Sequence, residues 1–119
     1  MGVGVPVARR QVWLVSLEDL AIGHEQAMTR PALVISDDIY NNGPSGMLIV
    51  LFITTKDKGI PFHIPVGPGE GGLKKKSFVM CDQIRSISRK RLVGLWGTVG
   101  RDTMAGVEEA VKALIFPPV

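Results

Sequence analysis

Arg30-Pro31-Ala32-Leu33-Val34-Ile35-Ser36 and Met47-Leu48-Ile49-Val50-Leu51-Phe52-Ile53-Thr54-Thr55 are two apolar, strand-forming runs joined by ten residues that include the turn signal Asn42-Gly43-Pro44. A crossover to a parallel neighbour needs a dozen residues or more, so this connection predicts an antiparallel pair. If Ser36 faces Leu48, paired residue numbers add to 84 and Arg30 falls opposite Thr54, with the two backbones roughly 5 Å apart. A fixed cation and a hydroxyl then meet at one rim of a sheet, which is the start of a phosphate site.

Working outward, Gln11-Val12-Trp13-Leu14-Val15-Ser16-Leu17 is rich in strand formers and reads as a first, mostly buried strand. Glu18 to Thr29 breaks every periodicity and holds Gly23, His24, Glu25 and Gln26 in a loop of about a dozen residues, a length that tends to be functional or mobile. Asp37 to Asn41 can make one helical turn. Pro61 to Val66, with two prolines, reads as an edge strand that puts Phe62, Ile64 and Val66 on one face and His63 on the other. Ser77 to Cys81, followed by Ile84 and Ile87, reads as two short strands or one bent strand, and Leu95 to Val99 as the last. Met104, Val107, Val111 and Leu114 recur at helical spacing, with Asp102 as N-cap and Pro117-Pro118 as terminator. Many short antiparallel strands and one terminal helix predict a mainly β (α+β) domain, a small barrel or a strongly curled sheet.

The 119 residues, 45% hydrophobic and 21% charged, suit one domain with a single core; residues 1–8 are expected to form a disordered tail. The longest apolar run, Met47 to Ile53, is far short of the roughly 20 residues that span a membrane. The first ten residues lack a signal-peptide layout, so a soluble, cytoplasmic protein is expected. Cys81 is the only cysteine, which excludes an internal disulfide and a multi-thiolate metal site, and its apolar strand predicts burial. A net charge of +3 leans toward anionic partners. Lysines and arginines cluster at Lys56 and Lys58, at Lys74 to Lys76, and at Arg85, Arg89, Lys90 and Arg91.

Several chemistries lack their residues. Gly67-Pro68-Gly69-Glu70-Gly71-Gly72 matches G-x-G-x-x-G, but a strand follows where that fingerprint needs a helix, so the stretch reads as a flexible connection. Neither histidine sits in a zinc-binding spacing, and no metal or cofactor is expected. No nucleophilic serine signature is present. Strand scission of RNA fits better, because the attacking 2′-hydroxyl belongs to the substrate and the protein supplies only a base, an acid and a cation. Arginine suits the last role, since its planar fork grips two phosphate oxygens and stays charged. His24, Glu25 and Asp82 are the candidates for moving the proton.

Six fragments taken in order carry a family resemblance: Gln11-Val12-Trp13-Leu14-Val15, Gly23-His24-Glu25-Gln26, Thr29 to Ser36, Ile53-Thr54-Thr55, Lys58-Gly59-Ile60-Pro61-Phe62, and Cys81-Asp82-Gln83-Ile84-Arg85-Ser86-Ile87. From about residue 9 to the terminal helix the chain resembles the MazF/PemK/Kid toxins of bacterial toxin-antitoxin systems. The resemblance implies an SH3-like curled barrel, a homodimer, and a metal-independent endoribonuclease that cuts single-stranded mRNA at a short sequence, leaving a 2′,3′-cyclic phosphate and a 5′-hydroxyl. It also implies a MazE-like antitoxin as partner, with DNA engaged only indirectly through the antitoxin complex. The usual catalytic arginine and threonine of the family fall on Arg30 and Thr54, its loop histidine and glutamate on His24 and Glu25, and its Asp-Gln pair on Asp82 and Gln83. Gln26, Thr55, Lys56, Phe62, Gln83 and Arg85 are expected along the RNA path.

Two positions depart from the family pattern. Arg10-Gln11 replaces the usual Gly-Asp or Gly-Glu, and Met80 stands where the Kid branch has an arginine proposed as the acid. The acid then falls to Arg30 or His24. The alternative function is a non-catalytic toxin of the same fold that inhibits gyrase or only binds RNA.

Overall fold

Six antiparallel strands make up the sheet: β1 (Gln11–Ser16), β2 (Thr29–Val34), β3 (Met47–Thr54), β4 (His63–Val66), β5 (Ser77–Ser88) and β6 (Leu92–Thr98), ordered β4-β5-β3-β2-β1-β6. A short helix, α1 (Asp38–Asn41), lies between β2 and β3, and α2 (Arg101–Ile115) closes the fold. The computed structural model describes residues 4–17 and 28–119. The mainly β architecture with a C-terminal helix is as expected. No helix among the described residues is long and apolar enough to cross a membrane.

Strands β2 and β3 pair Ala32 with Phe52, Leu33 with Leu51 and Val34 with Val50, so paired numbers add to 84, the register expected from the two runs. The same register continues at the other end, where the Ile35 amide donates to the Ile49 carbonyl at 3.0 Å. Ser36 Oγ accepts from the Ile49 amide at 2.9 Å and bonds Asn41 Oδ1, whose own amide nitrogen donates to the Ser36 carbonyl at 2.9 Å. This buried polar knot ties the α1 turn to the end of the hairpin, because each polar atom withdrawn from water finds a partner. Asp37 caps α1 by accepting from the Ile39 amide.

β3 is apolar along nearly its whole length because both of its faces are covered. Leu51 and Ile53 pack with Val12, Leu33, Val79 and the α2 residues Met104, Val107 and Ala110. Leu48, Val50 and Phe52 face the other way, against Trp13, Val15, Ala32, Val34, Met80 and Ile87. Leu33, Leu48 and Leu51 are fully buried, each contributing about 2 kcal/mol of apolar transfer free energy. Val7 belongs to this second cluster: its amide donates to Asn42 Oδ1 and its carbonyl accepts from Asn42 Nδ2. The chain is therefore anchored before β1, and Val7 and Ala8, expected in a disordered tail, are part of the fold.

Two other expectations change. The Gly67 to Gly72 stretch is no loose connection: it ends in a 3₁₀ turn (Glu70–Gly72) that packs on β6, at the opposite end of the strand order from β4. A Cβ on Gly72 would lie 2.2 Å from the Trp96 carbonyl oxygen, and one on Gly97 would lie 2.7 Å from the Gly71 carbonyl carbon. Only glycine fits on either side of this contact, and Gly72 also needs its φ of 75°. The sheet thus curls until the segment after β4 touches β6. Helix α2 begins two residues sooner than Asp102 predicts. Gly100 is the N-cap and its amide donates to Glu70 Oε2 at 2.8 Å, which sets a carboxylate from the 3₁₀ turn beside the positive end of the helix.

Candidate active site

The rim shared by β2 and β3 opens into a cleft of about 860 Å³, and Arg30 and Thr54 both line it. Pro31 has no N–H to extend the β2–β3 ladder, whose last pair is Ala32 with Phe52. Arg30 and Thr54 lie two residues beyond that pair, in line by register. On its outer side each is held by a different strand: Arg30 pairs with Val15 of β1, and Thr54 with Phe78 of β5. The guanidinium of Arg30 is exposed and has no hydrogen bond or ion pair among the described residues. Thr54 Oγ1 accepts from the Lys56 amide at 3.1 Å. That turn fixes the side chain and leaves the hydroxyl hydrogen for an outside acceptor.

The cleft wall is strongly cationic. Arg30, Lys56, Lys58, Lys74 and Lys75 line it, and no carboxylate does among the described residues. Clefts of one sign with low-dielectric walls concentrate the opposite charge. Asp57 turns the chain after β3 by accepting from the Gly59 amide at 3.0 Å, and its neighbours Lys56 and Lys58 both line the opening. Lys74 and Lys75 come from the segment that packs on β6, and Ser77 Oγ, donating to the Lys75 carbonyl at 2.8 Å, steadies that segment. Pro31, Ile53, Leu73, Leu95 and Trp96 give the cleft its apolar surface. Lys74, Lys75 and Trp96 were not among the residues predicted for the site; their signal was only a basic cluster and an aromatic in a late strand.

The remaining candidates divide. Thr55 and Lys56 line the cleft. Asp82, Gln83, Phe62 and Arg85 do not. The β3–β5 register slips between Leu51 and Ile53, and the bulged stretch of β5 carries Asp82 to the β4 edge, where its Oδ1 lies 2.8 Å from His63 Nε2. Phe62 is half-buried against the core below α2, Arg85 lies over the Phe52 ring at 5.7 Å, and Gln83 is exposed on β5. His24, Glu25 and Gln26 lie outside the described residues. The two departures have structural answers: Gln11 Oε1 accepts from the Ala8 amide and from Trp13 Nε1, and Met80 is buried.

His63 was set on the face away from Phe62, Ile64 and Val66 and given no role. It is buried, and its Nδ1 has no partner among the described residues. The Asp82 contact is satisfied by a proton on Nε2. Cys81 is buried as expected; its thiol pKa is pushed up to about 11, first by burial and then by the charge of Asp82. It is a core side chain. No group of three or more His, Cys, Asp or Glu among the described residues could hold a metal ion.

A sheet rim offering a guanidinium and an alcohol inside a basic cleft defines an anion-handling site, and sequence comparison gives it a lineage. Residues 8–115 match the family model described as PemK-like, MazF-like toxin of type II toxin-antitoxin system, and the chain belongs to that family. Its relatives include the endoribonuclease toxin MazF of Escherichia coli K12, 34% identical over 94 residues that cover 78% of this chain and 80% of that one. Endoribonuclease EndoA of Bacillus subtilis is 28% identical over 107 residues, 89% of this chain and 91% of the relative. Among solved structures, MazE-MazF (Form-II) from Deinococcus radiodurans superposes with a TM-score of 0.78 at 26% identity, covering 93% of this chain and 96% of that one.

Proposed function

We propose that this member of the toxin family is a metal-independent endoribonuclease that cuts single-stranded mRNA by attack of the 2′-hydroxyl on the adjacent phosphorus. The observation that carries the reading is the register that brings Arg30 and Thr54 to one rim of a cleft with five cations and no carboxylate on its described wall. The 2′-oxygen loses its proton to a base and bonds phosphorus. The bond to the 5′-oxygen then breaks, and that oxygen takes a proton from an acid, leaving a 2′,3′-cyclic phosphate and a 5′-hydroxyl. Arg30 stabilises the extra charge on the five-coordinate phosphorus, and the Thr54 hydroxyl donates to a non-bridging oxygen. Proton transfer is assigned to His24 and Glu25, with Arg30 able to protonate the leaving oxygen. Asp82, held by His63 at the β4 edge, stands off the cleft wall and acts only if the bound RNA reaches it.

A homodimer working in the cytoplasm, held in check by a MazE-like antitoxin, completes the reading and follows from the family. The MazE-MazF neighbour supports the antitoxin part of that reading.

The test is incubation of purified protein with a long single-stranded RNA in excess chelator, followed by mapping of the new 5′ ends. Discrete cuts with 5′-hydroxyl ends are expected. Arg30→Ala should reduce cutting by about 10²- to 10³-fold or more while the thermal midpoint barely moves, because the side chain is exposed and makes no hydrogen bond or ion pair among the described residues. Cutting that vanishes when metal is removed would overturn the proposal.

A further inference from the structure

Trp96 is the one large flat side chain on the described cleft wall, and nothing in the reaction above employs it. It is 41% exposed, whereas the only other tryptophan, Trp13, is 2% exposed and donates its indole N–H to Gln11. A tryptophan that leaves so much ring in water forgoes the burial that makes the residue useful in a core. It is nevertheless held firmly. The Glu70–Gly72 turn presses on its backbone so closely that Gly72 admits no Cβ, and the same turn leaves no room at the neighbouring Gly97.

The surroundings say what the ring can receive. Sequence-tolerant binding of single-stranded nucleic acid combines a groove of cations that follow the phosphates with aromatic faces on which bases stack. Lys74 and Lys75 follow the Glu70–Gly72 turn after Leu73, and with Arg30, Lys56 and Lys58 they line the same opening as Trp96 and Leu95. Cations without a flat face would serve any polyanion. Apolar surface without cations would serve a peptide. Here both occur on one wall.

We infer that Trp96 is a base-stacking platform: a nucleobase of the single-stranded RNA packs on its indole while Lys74 and Lys75 hold the neighbouring phosphates, fixing which linkage lies over Arg30 and Thr54. The inference rests on the ribonuclease reading. It assigns Trp96 to substrate affinity and register, not to bond breaking.

The probe is an oligonucleotide of the mapped cleavage sequence with 2′-deoxyribose at the scissile position, which binds and cannot be cut. Titrated into wild-type protein it should quench the indole emission, and Trp96→Phe should abolish that response because Trp13 is buried. Trp96→Ala should raise KM by roughly 10- to 100-fold with kcat within a few-fold, and Trp96→Phe should restore most of the affinity. Wild-type protein that cuts and binds RNA with no change in emission, or Trp96→Ala with unchanged KM, overturns the stacking role and leaves the ribonuclease reading standing. Wild-type protein that neither binds nor cuts RNA overturns both. A Trp96→Ala variant whose main change is the loss of self-association in sedimentation would assign the ring to a contact between copies and overturn the proposal.

Discussion

His63 Nε2 lies 2.8 Å from Asp82 Oδ1, joining the edge strand β4 to the bulged part of β5. The imidazole is almost wholly enclosed, whereas the carboxylate keeps a third of its side chain in water. A pair of that kind steadies a strand edge more than it serves a solvent-borne substrate. Asp82→Asn should lower stability and leave kcat within about tenfold, since loss of a true general base costs more, about 10²-fold or greater. A double-mutant cycle of Asp82→Asn with His63→Ala in urea should show a coupling of about 1 kcal/mol. Additive effects would mean that the two side chains do not interact in solution.

Thr54 gives a sharper test of the cleft. Its hydroxyl accepts from the exposed Lys56 amide, which water can satisfy once the oxygen is gone. Thr54→Val keeps the shape and removes the donor to phosphate, so kcat should fall about 10- to 100-fold, the scale of one charge-assisted hydrogen bond. The urea midpoint should hardly change, and Thr54→Ser should recover most of the rate.

Arg10 is the only non-glycine among the described residues with positive φ, at 80°. The backbone has no choice there: the Arg10 amide donates to Val34 and its carbonyl accepts from Val99, so the residue is tied between β2 and the end of β6. A left-handed conformation costs an L-residue about 1 kcal/mol, part of which glycine returns through the greater freedom of its unfolded chain. Arg10→Gly should therefore raise stability by about 0.5 kcal/mol, read as a higher urea midpoint at constant m-value. A lower midpoint would show that the arginine side chain more than offsets its backbone strain.

Cys81 sets a limit at high pH. Its folded pKa of about 11 lies above the ordinary 9.0, so the folded protein holds the thiol proton more tightly than the unfolded chain does. The linked stability is fully present below pH 9 and is lost as pH rises toward 11. Relative to Cys81→Ala, wild-type protein should lose stability across that window, and below it the native thiol should resist alkylation that proceeds readily in urea. Rapid alkylation of native protein near neutral pH would contradict the burial.

The hairpin of β2 and β3 was legible because its information is local: ten connecting residues allow one orientation, and two unbroken apolar runs allow few registers. The helix face of Met104 and Val107 was legible for the same reason. What could not be read depends on residues brought together from afar. Glu70 holds the amide of the N-cap residue Gly100, thirty residues later, so the nearer Asp102 looked like the cap. The partnership of His63 with Asp82 needs a bulge that has no signature in the β5 sequence, and the basic wall of the cleft needs the glycine turn to seat on β6. Runs of lysine announce charge; they do not announce what they face.

β3 supplies side chains to both apolar clusters, and its last residue is Thr54. Neither half of the interior can melt while the other keeps that strand in place. Heat or denaturant should consequently take shape and catalytic competence away together, in one cooperative step with no inert but folded remnant. Once such a molecule has begun to come apart its site is already lost, and a substitution that strengthens the shared strand lengthens the life of the site with that of the fold.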